Sequence, residues 1–169
     1  MKEKVKGIAF LSCLLGIALM LSFLEAILPL SIILPGFKLG LANVIILLCL
    51  KYWGLREALL INIARILLSA LLFGNILSLA LSLSGGIAST LLMCLLLKSK
   101  KLSDLGVSSA GGAIHNFAQI LVAMLMLSTS SIFRLAPFLL ILGGITGVFC
   151  GILSVFLEKR INFQKISGK

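Results

Sequence analysis

The sequence predicts an all-α integral membrane protein: a compact bundle of about six transmembrane helices with both termini in the cytoplasm. Three observations predict it: too few charges for a water-facing surface, apolar runs of membrane-crossing length, and basic residues gathered at alternate connections. Of 169 residues, 60% are hydrophobic and 12% charged, with a mean hydropathy of +1.23. Soluble domains carry roughly 25% charged residues. Half that share cannot solvate a surface of this size, so lipid faces most of it. No Pro/Ser-rich linker or charge block divides the chain, which reads as one transmembrane domain over 1–169.

A helix needs about 20 apolar residues to cross a bilayer. Six segments approach that length: 7–28, 39–52, 57–73, 76–97, 105–128 and 135–157. The first is preceded by basic residues, as in a signal peptide. A secretory apolar core is only roughly 7–15 residues long, whereas this run extends from Ile8 to Leu34 and more apolar chain follows. It is therefore expected to remain as an uncleaved span. The second is short, so tilted or non-helical chain is expected beside it. Pro29, Pro35 and Gly36 precede it, and a residue before proline avoids helical geometry.

The net charge of +10 comes from short basic clusters between apolar runs. With no aromatic interleaving, it reads as membrane topology and not as a nucleic-acid surface. Placing the N-terminus inside puts Lys2, Lys4, Lys6, Lys51, Arg56, Lys98, Lys100, Lys101, Lys159, Arg160, Lys165 and Lys169 on the cytoplasmic side. Only Lys38 and Arg134 fall outside, and Arg65 lies within a span. That bias follows the positive-inside rule. Tyr52 and Trp53, beside Lys51, fit an interfacial anchor. The expected location is the cell membrane, crossed several times.

Charges in hydrocarbon cost about 2.5–3.5 kcal/mol or more at a helix centre, so each marks a partner or a wet cavity. Arg65 lies about 12 Å along its helix from Glu57, with Asn62 three positions earlier. His115, Asn116 and Gln119 lie roughly 16–22 Å from Asp104 at the same rise per residue. Glu25, Lys38 and Asn43 fall near the outer ends of the first and second spans. Together they outline a pocket opening outward. The alternative is structural: Arg65 pairing with Glu25, or with Gln119 and carbonyls, as glue between helices, and Asn43 and Asn62 as interhelical hydrogen-bonders. Small-residue stripes (Gly143/Gly147/Gly151, Ala9/Cys13, Ser12/Gly16, Gly85-Gly86 and Gly111-Gly112) allow close helix approach, internally or against another subunit.

The residues exclude several chemistries. There is no G-x-x-x-x-G-K-[ST] string for ATP. The acidic residues Glu3, Glu25, Glu57, Asp104 and Glu158 stand twenty or more positions apart, whereas diphosphate chemistry needs clustered carboxylates for Mg²⁺. No serine or cysteine has a base and orienter in sequence context. Cys13, Cys49, Cys94 and Cys150 are dispersed and read as apolar packing. One histidine completes no metal shell. The expectation is a protein that binds and does not react, with no cofactor and no metal.

Several strings resemble one family. These are Glu25-Ala-Ile-Leu-Pro29, Pro35-Gly-Phe-Lys38-Leu-Gly-Leu-Ala-Asn43, Asn62-Ile-Ala-Arg65, Phe73-Gly74, Ser82-Leu-Ser-Gly-Gly86, and Ser109 through His115-Asn116 to Gln119. Over nearly the whole chain they resemble the Gx transporter family, also called the heptaprenyl diphosphate synthase component I family. In size and layout it is similar to the substrate-binding (S) components of energy-coupling factor transporters. The resemblance implies capture of a small polar or anionic solute from outside, driven by a separate transmembrane coupling subunit and ATPases. It implies docking through small residues of the first helix, here Ala9, Ser12, Cys13 and Gly16. Glu25, Lys38, Asn43, Asn62, Arg65, His115, Asn116 and Gln119 are the candidate binding residues, Arg65 supplying charge. The second expectation, from the other family name, is a non-catalytic membrane partner of an isoprenoid synthase.

Overall fold

A computed structural model describes residues 2–27 and 38–167, with no strand among them. Pro29, Pro35 and Gly36, expected to shape the approach to the second span, lie outside the described residues. The helices are α1 (Lys2–Ile27), α2 (Asn43–Tyr52), α3 (Leu55–Phe73), α4 (Ile76–Ser99), α5 (Asp104–Leu127), α6 (Ala136–Arg160) and the short α7 (Phe163–Ser167). A 3-10 turn, Ser130–Leu135, leads into α6.

Local chemistry sets several boundaries. Asn75 caps α4 by accepting from the Ser78 amide at 2.7 Å, and Ser103 caps α5 by accepting from the Gly106 amide at 3.3 Å. Both use the short polar acceptor that a helix N-terminus needs. Pro137 sits in the first turn of α6, where its missing N–H costs nothing. Between α2 and α3 the chain turns at Gly54, whose φ of 109° is open to glycine and strained for other residues.

Among the described residues, four stretches are long and apolar enough to cross a membrane: Lys6–Ile27, Ile76–Ser99, Asp104–Leu127 and Ser130–Arg160. With α3, which carries Arg56, Glu57 and Arg65, and the embedded α2, they form a helical membrane protein. α5 and α6 make the most intimate pair. Gly112 and Gly143 face each other so closely that a Cβ on either would enter the other's carbonyl, and Gly147 meets Ser108 in the same way. The glycine run of the last span therefore packs internally. This is the close backbone approach that small residues permit in lipid.

α2 is the interior helix. It contacts α1, α3, α4, α5 and α6, and every residue from Asn43 to Leu50 is buried. Ten residues rise only about 15 Å, half of a hydrocarbon core of about 30 Å. The sequence placed this segment at 39–52, but 39–42 form a turn ahead of the helix. The physical reason is Gly40, whose φ of 85° ends helical geometry in a run that is apolar enough to be helix. At the other end of α2, Lys51 Nζ lies 2.7 Å from Asp104 and in contact with Glu158. The C-terminus of α2, the start of α5 and the end of α6 thus meet at one face. Below them Phe10, Tyr52, Trp53 and Phe163 form an aromatic floor. Phe10 stacks on Trp53 at 5.6 Å and Phe163 on Tyr52 at 5.1 Å.

Candidate functional site

The N-terminus of α2 lies enclosed among the other helices, directly after the non-helical residues 38–42. Exposed peptide groups are untenable in lipid, so such backbone must be satisfied by protein around it. Side chains from three helices do this. Glu25 of α1 accepts from the Leu41 amide, Gln119 of α5 from the Lys38 amide at 3.4 Å, and Thr146 of α6 donates to the Leu39 carbonyl at 3.3 Å. Cys150 Sγ lies 3.8 Å from the Gly40 carbonyl. The first helical amide, Asn43 N–H, bonds to the Gly40 carbonyl at 2.9 Å. This re-entrant turn organises the polar interior.

On one side of it is Arg65, only 1% exposed. Its Nε donates to Asn62 Oδ1 at 3.0 Å and its Nη1 to Ser22 Oγ at 3.0 Å. Asn62 is held in turn, donating to the Gly86 carbonyl at 2.9 Å and to Thr90 at 2.8 Å. The three-residue spacing of Asn62 and Arg65 places both on the face of α3 that meets α1 and α4. Among the described residues the ion pairs are those of Lys51. Among these residues Arg65 has only neutral hydrogen-bond partners, and its Nη2 has none.

On the other side is His115, also 1% exposed, with Nε2 at 3.0 Å from Gln119 Nε2. The amide orientation follows from the Lys38 bond. Gln119 Oε1 is the acceptor there, so its nitrogen donates and His115 Nε2 accepts. That pattern describes a neutral ring with its proton on Nδ1. The two sides meet at Gly85 and Gly86 of α4. A Cβ on Gly85 would lie 2.9 Å from His115 Nδ1, and one on Gly86 would lie 3.0 Å from Asn62 Nδ2. Gly40 closes the ring, its Cβ position 2.8 Å from Asn43 Nδ2 and 3.6 Å from His115 Cδ2. Among the described residues, neither polar atom of the Asn43 side chain has a hydrogen-bond partner, nor does Glu25 Oε2.

Of the eight candidate binding residues, the structure gathers Glu25, Lys38, Asn43, Asn62, Arg65, His115 and Gln119 around this turn. Lys38 is buried and not at an open mouth; its ammonium lies 5.9 Å from the Phe73 ring centroid. Asn116 points away, donating to the Leu139 carbonyl of α6 at 2.8 Å. Consecutive residues on a helix are rotated by about 100°, so His115 and Asn116 serve different neighbours. Ser22, the second partner of Arg65, was not singled out from sequence; a serine in an apolar span shows nothing of a contact 43 positions away.

Ala9, Ser12, Cys13 and Gly16 lie on an exposed face of α1, and nothing lies within 4 Å of where a Gly16 Cβ would be. α1 is the least enclosed of the four long spans, its residues less buried against the rest of the chain than those of the other three.

The family model described as heptaprenyl diphosphate synthase component I matches residues 14–157, nearly the whole chain and every polar residue of this cluster. No curated protein and no solved structure gave a significant match.

Proposed function

We propose that this chain, which belongs to the heptaprenyl diphosphate synthase component I family (the Gx transporter family), is a non-catalytic solute-binding membrane subunit. It resembles an S component in function, takes up a small polar or anionic cofactor precursor from the outer side, and is energised in trans by a coupling subunit and ATPases. The observation that carries this reading is the state of Arg65. A guanidinium at mid-membrane, held by neutral groups and with one nitrogen unbonded, is costly unless an anion completes it. A purely structural arginine would be expected to close on the Glu25 carboxylate. Instead Glu25 holds the re-entrant turn, which leaves Arg65 Nη2 to donate to an anionic ligand.

The exposed small-residue face of α1 supports docking to a coupling subunit. Ala9, Ser12, Cys13 and Gly16 are all exposed, and the space beside Gly16 is open, unlike that beside the glycines of α6.

The test is direct. Protein purified gently from membranes retains its solute, which mass spectrometry identifies. Arg65→Ala lowers retention at least about thirtyfold, the effect of truncating one partner of a buried charged contact. Arg65→Lys, which keeps the charge, controls for folding. Unchanged retention in both variants rejects the site. Co-purification separates the reading from its competitor: ATPases with a membrane coupling protein support uptake, and a soluble carboxylate-rich synthase subunit supports the isoprenoid role.

A further inference from the structure

The charge balance around the re-entrant turn narrows the class of solute, given the binding role assigned to Arg65 above. Among the described residues, the acidic, basic and histidine side chains gathered there are Glu25, Lys38, Arg65 and His115, all buried. His115 is neutral by its hydrogen bond to Gln119. Two cations therefore face one carboxylate, and one positive charge is left over in a low-dielectric interior, where unpaired charge is strongly disfavoured.

Among the described residues, the unsatisfied atoms around this surplus differ in kind. Arg65 Nη2 and His115 Nδ1 offer donors, Glu25 Oε2 an acceptor, and Asn43 both. They belong to four different elements, each fixed by other bonds: Glu25 by the Leu41 amide, Arg65 by Ser22 and Asn62, His115 by Gln119, and Asn43 by its place in the first turn of α2.

We propose that the solute carries one net negative charge, presented as a carboxylate to Arg65, together with a neutral group that both donates and accepts for Glu25 and Asn43. A dianionic phosphate monoester would overshoot the surplus and leave a buried negative charge beside Glu25. A cation would add to the surplus.

The test is equilibrium dialysis of the full-length chain in lipid nanodiscs against [¹⁴C]acetate or [³²P]phosphate at pH 8.5, where inorganic phosphate is chiefly dianionic. Acetate is expected to bind at least tenfold more tightly than phosphate. Lys38→Gln, which removes the surplus without touching Arg65, should weaken acetate binding at least tenfold. Glu25→Gln, which doubles the surplus, should shift the acetate-to-phosphate ratio at least tenfold toward phosphate. Lys38→Gln carries the test if loss of the Leu41 contact prevents Glu25→Gln from folding. Phosphate binding as tightly as acetate, through Arg65, would overturn the single-charge assignment and leave the solute-binding role standing. If neither anion binds above the Arg65→Ala background, the Arg65 site itself is wrong.

Discussion

Three glycines decide where the polar side chains of the interior can go. Gly85 leaves room for the His115 ring, Gly86 for the Asn62 amide, and Gly40 for Asn43 while also taking a positive φ. Gly85→Ala is therefore expected to push the imidazole off Gln119, at a cost of about 1–3 kcal/mol for overpacking. Gly40→Ala adds backbone strain of about 1 kcal/mol or more to a similar clash. Thermal unfolding in nanodiscs should show both losses, while Gly144→Ala, whose Cβ would meet only Ser109 Oγ at an ordinary 3.6 Å, stays near wild type. At this scale the sequence was informative where spacing implies contact. Asn62 and Arg65 at three apart, and His115 and Gln119 at four apart, do meet. It was uninformative where contact is decided by a distant helix, as with Ser22 for Arg65 and the Leu139 carbonyl for Asn116.

Among the elements, α2 differs most from what hydropathy suggests. The run 39–52 is apolar apart from Asn43 and Lys51 near its ends, and apolarity measures transfer into lipid without specifying helix. The four residues lost from the helix become the turn around which the candidate site is built. α2 is fastened below by Lys51, which separates Asp104 from Glu158. Lys51→Met leaves two carboxylates facing each other and should destabilise the protein by about 1 kcal/mol at neutral pH, since these groups are partly solvated. Raising the salt concentration screens the repulsion between the two carboxylates, so the unfolding midpoints of variant and wild type should draw together in high salt. A deficit that salt does not change would mean that Lys51 acts through packing alone. The α5–α6 contact was announced by its glycine spacing, but whether it served an internal or an external partner was settled only by the geometry.

For the whole molecule, composition and basic-residue placement were sufficient to read a helical membrane bundle. They could not reveal that one helix would be enclosed by the others, because burial among helices and burial in lipid select the same residues. The orientation is testable with single cysteines placed in a background lacking the four native ones. A membrane-impermeant maleimide applied to intact cells should label Ser128→Cys and leave Ser99→Cys unlabelled until the cells are opened; the reverse pattern would invert the topology. The free face of α1 makes a separate prediction. Ala9→Leu with Gly16→Leu should leave the unfolding midpoint within about 0.5 kcal/mol of wild type, as for ordinary surface changes. Solute retention should persist while recovery of a coupling subunit falls. Equal recovery would place the docking surface elsewhere.

The aromatic floor has a consequence for biosynthesis. Phe163, 2% exposed, is wedged among Phe10, Tyr52 and Trp53, so rings inserted early by the translocon stay uncovered until the ribosome has nearly finished the described chain. A transcript stopped after Arg160 would yield every span and still lack this closing wedge, leaving a nascent product that quality-control proteases should clear faster than the full-length protein.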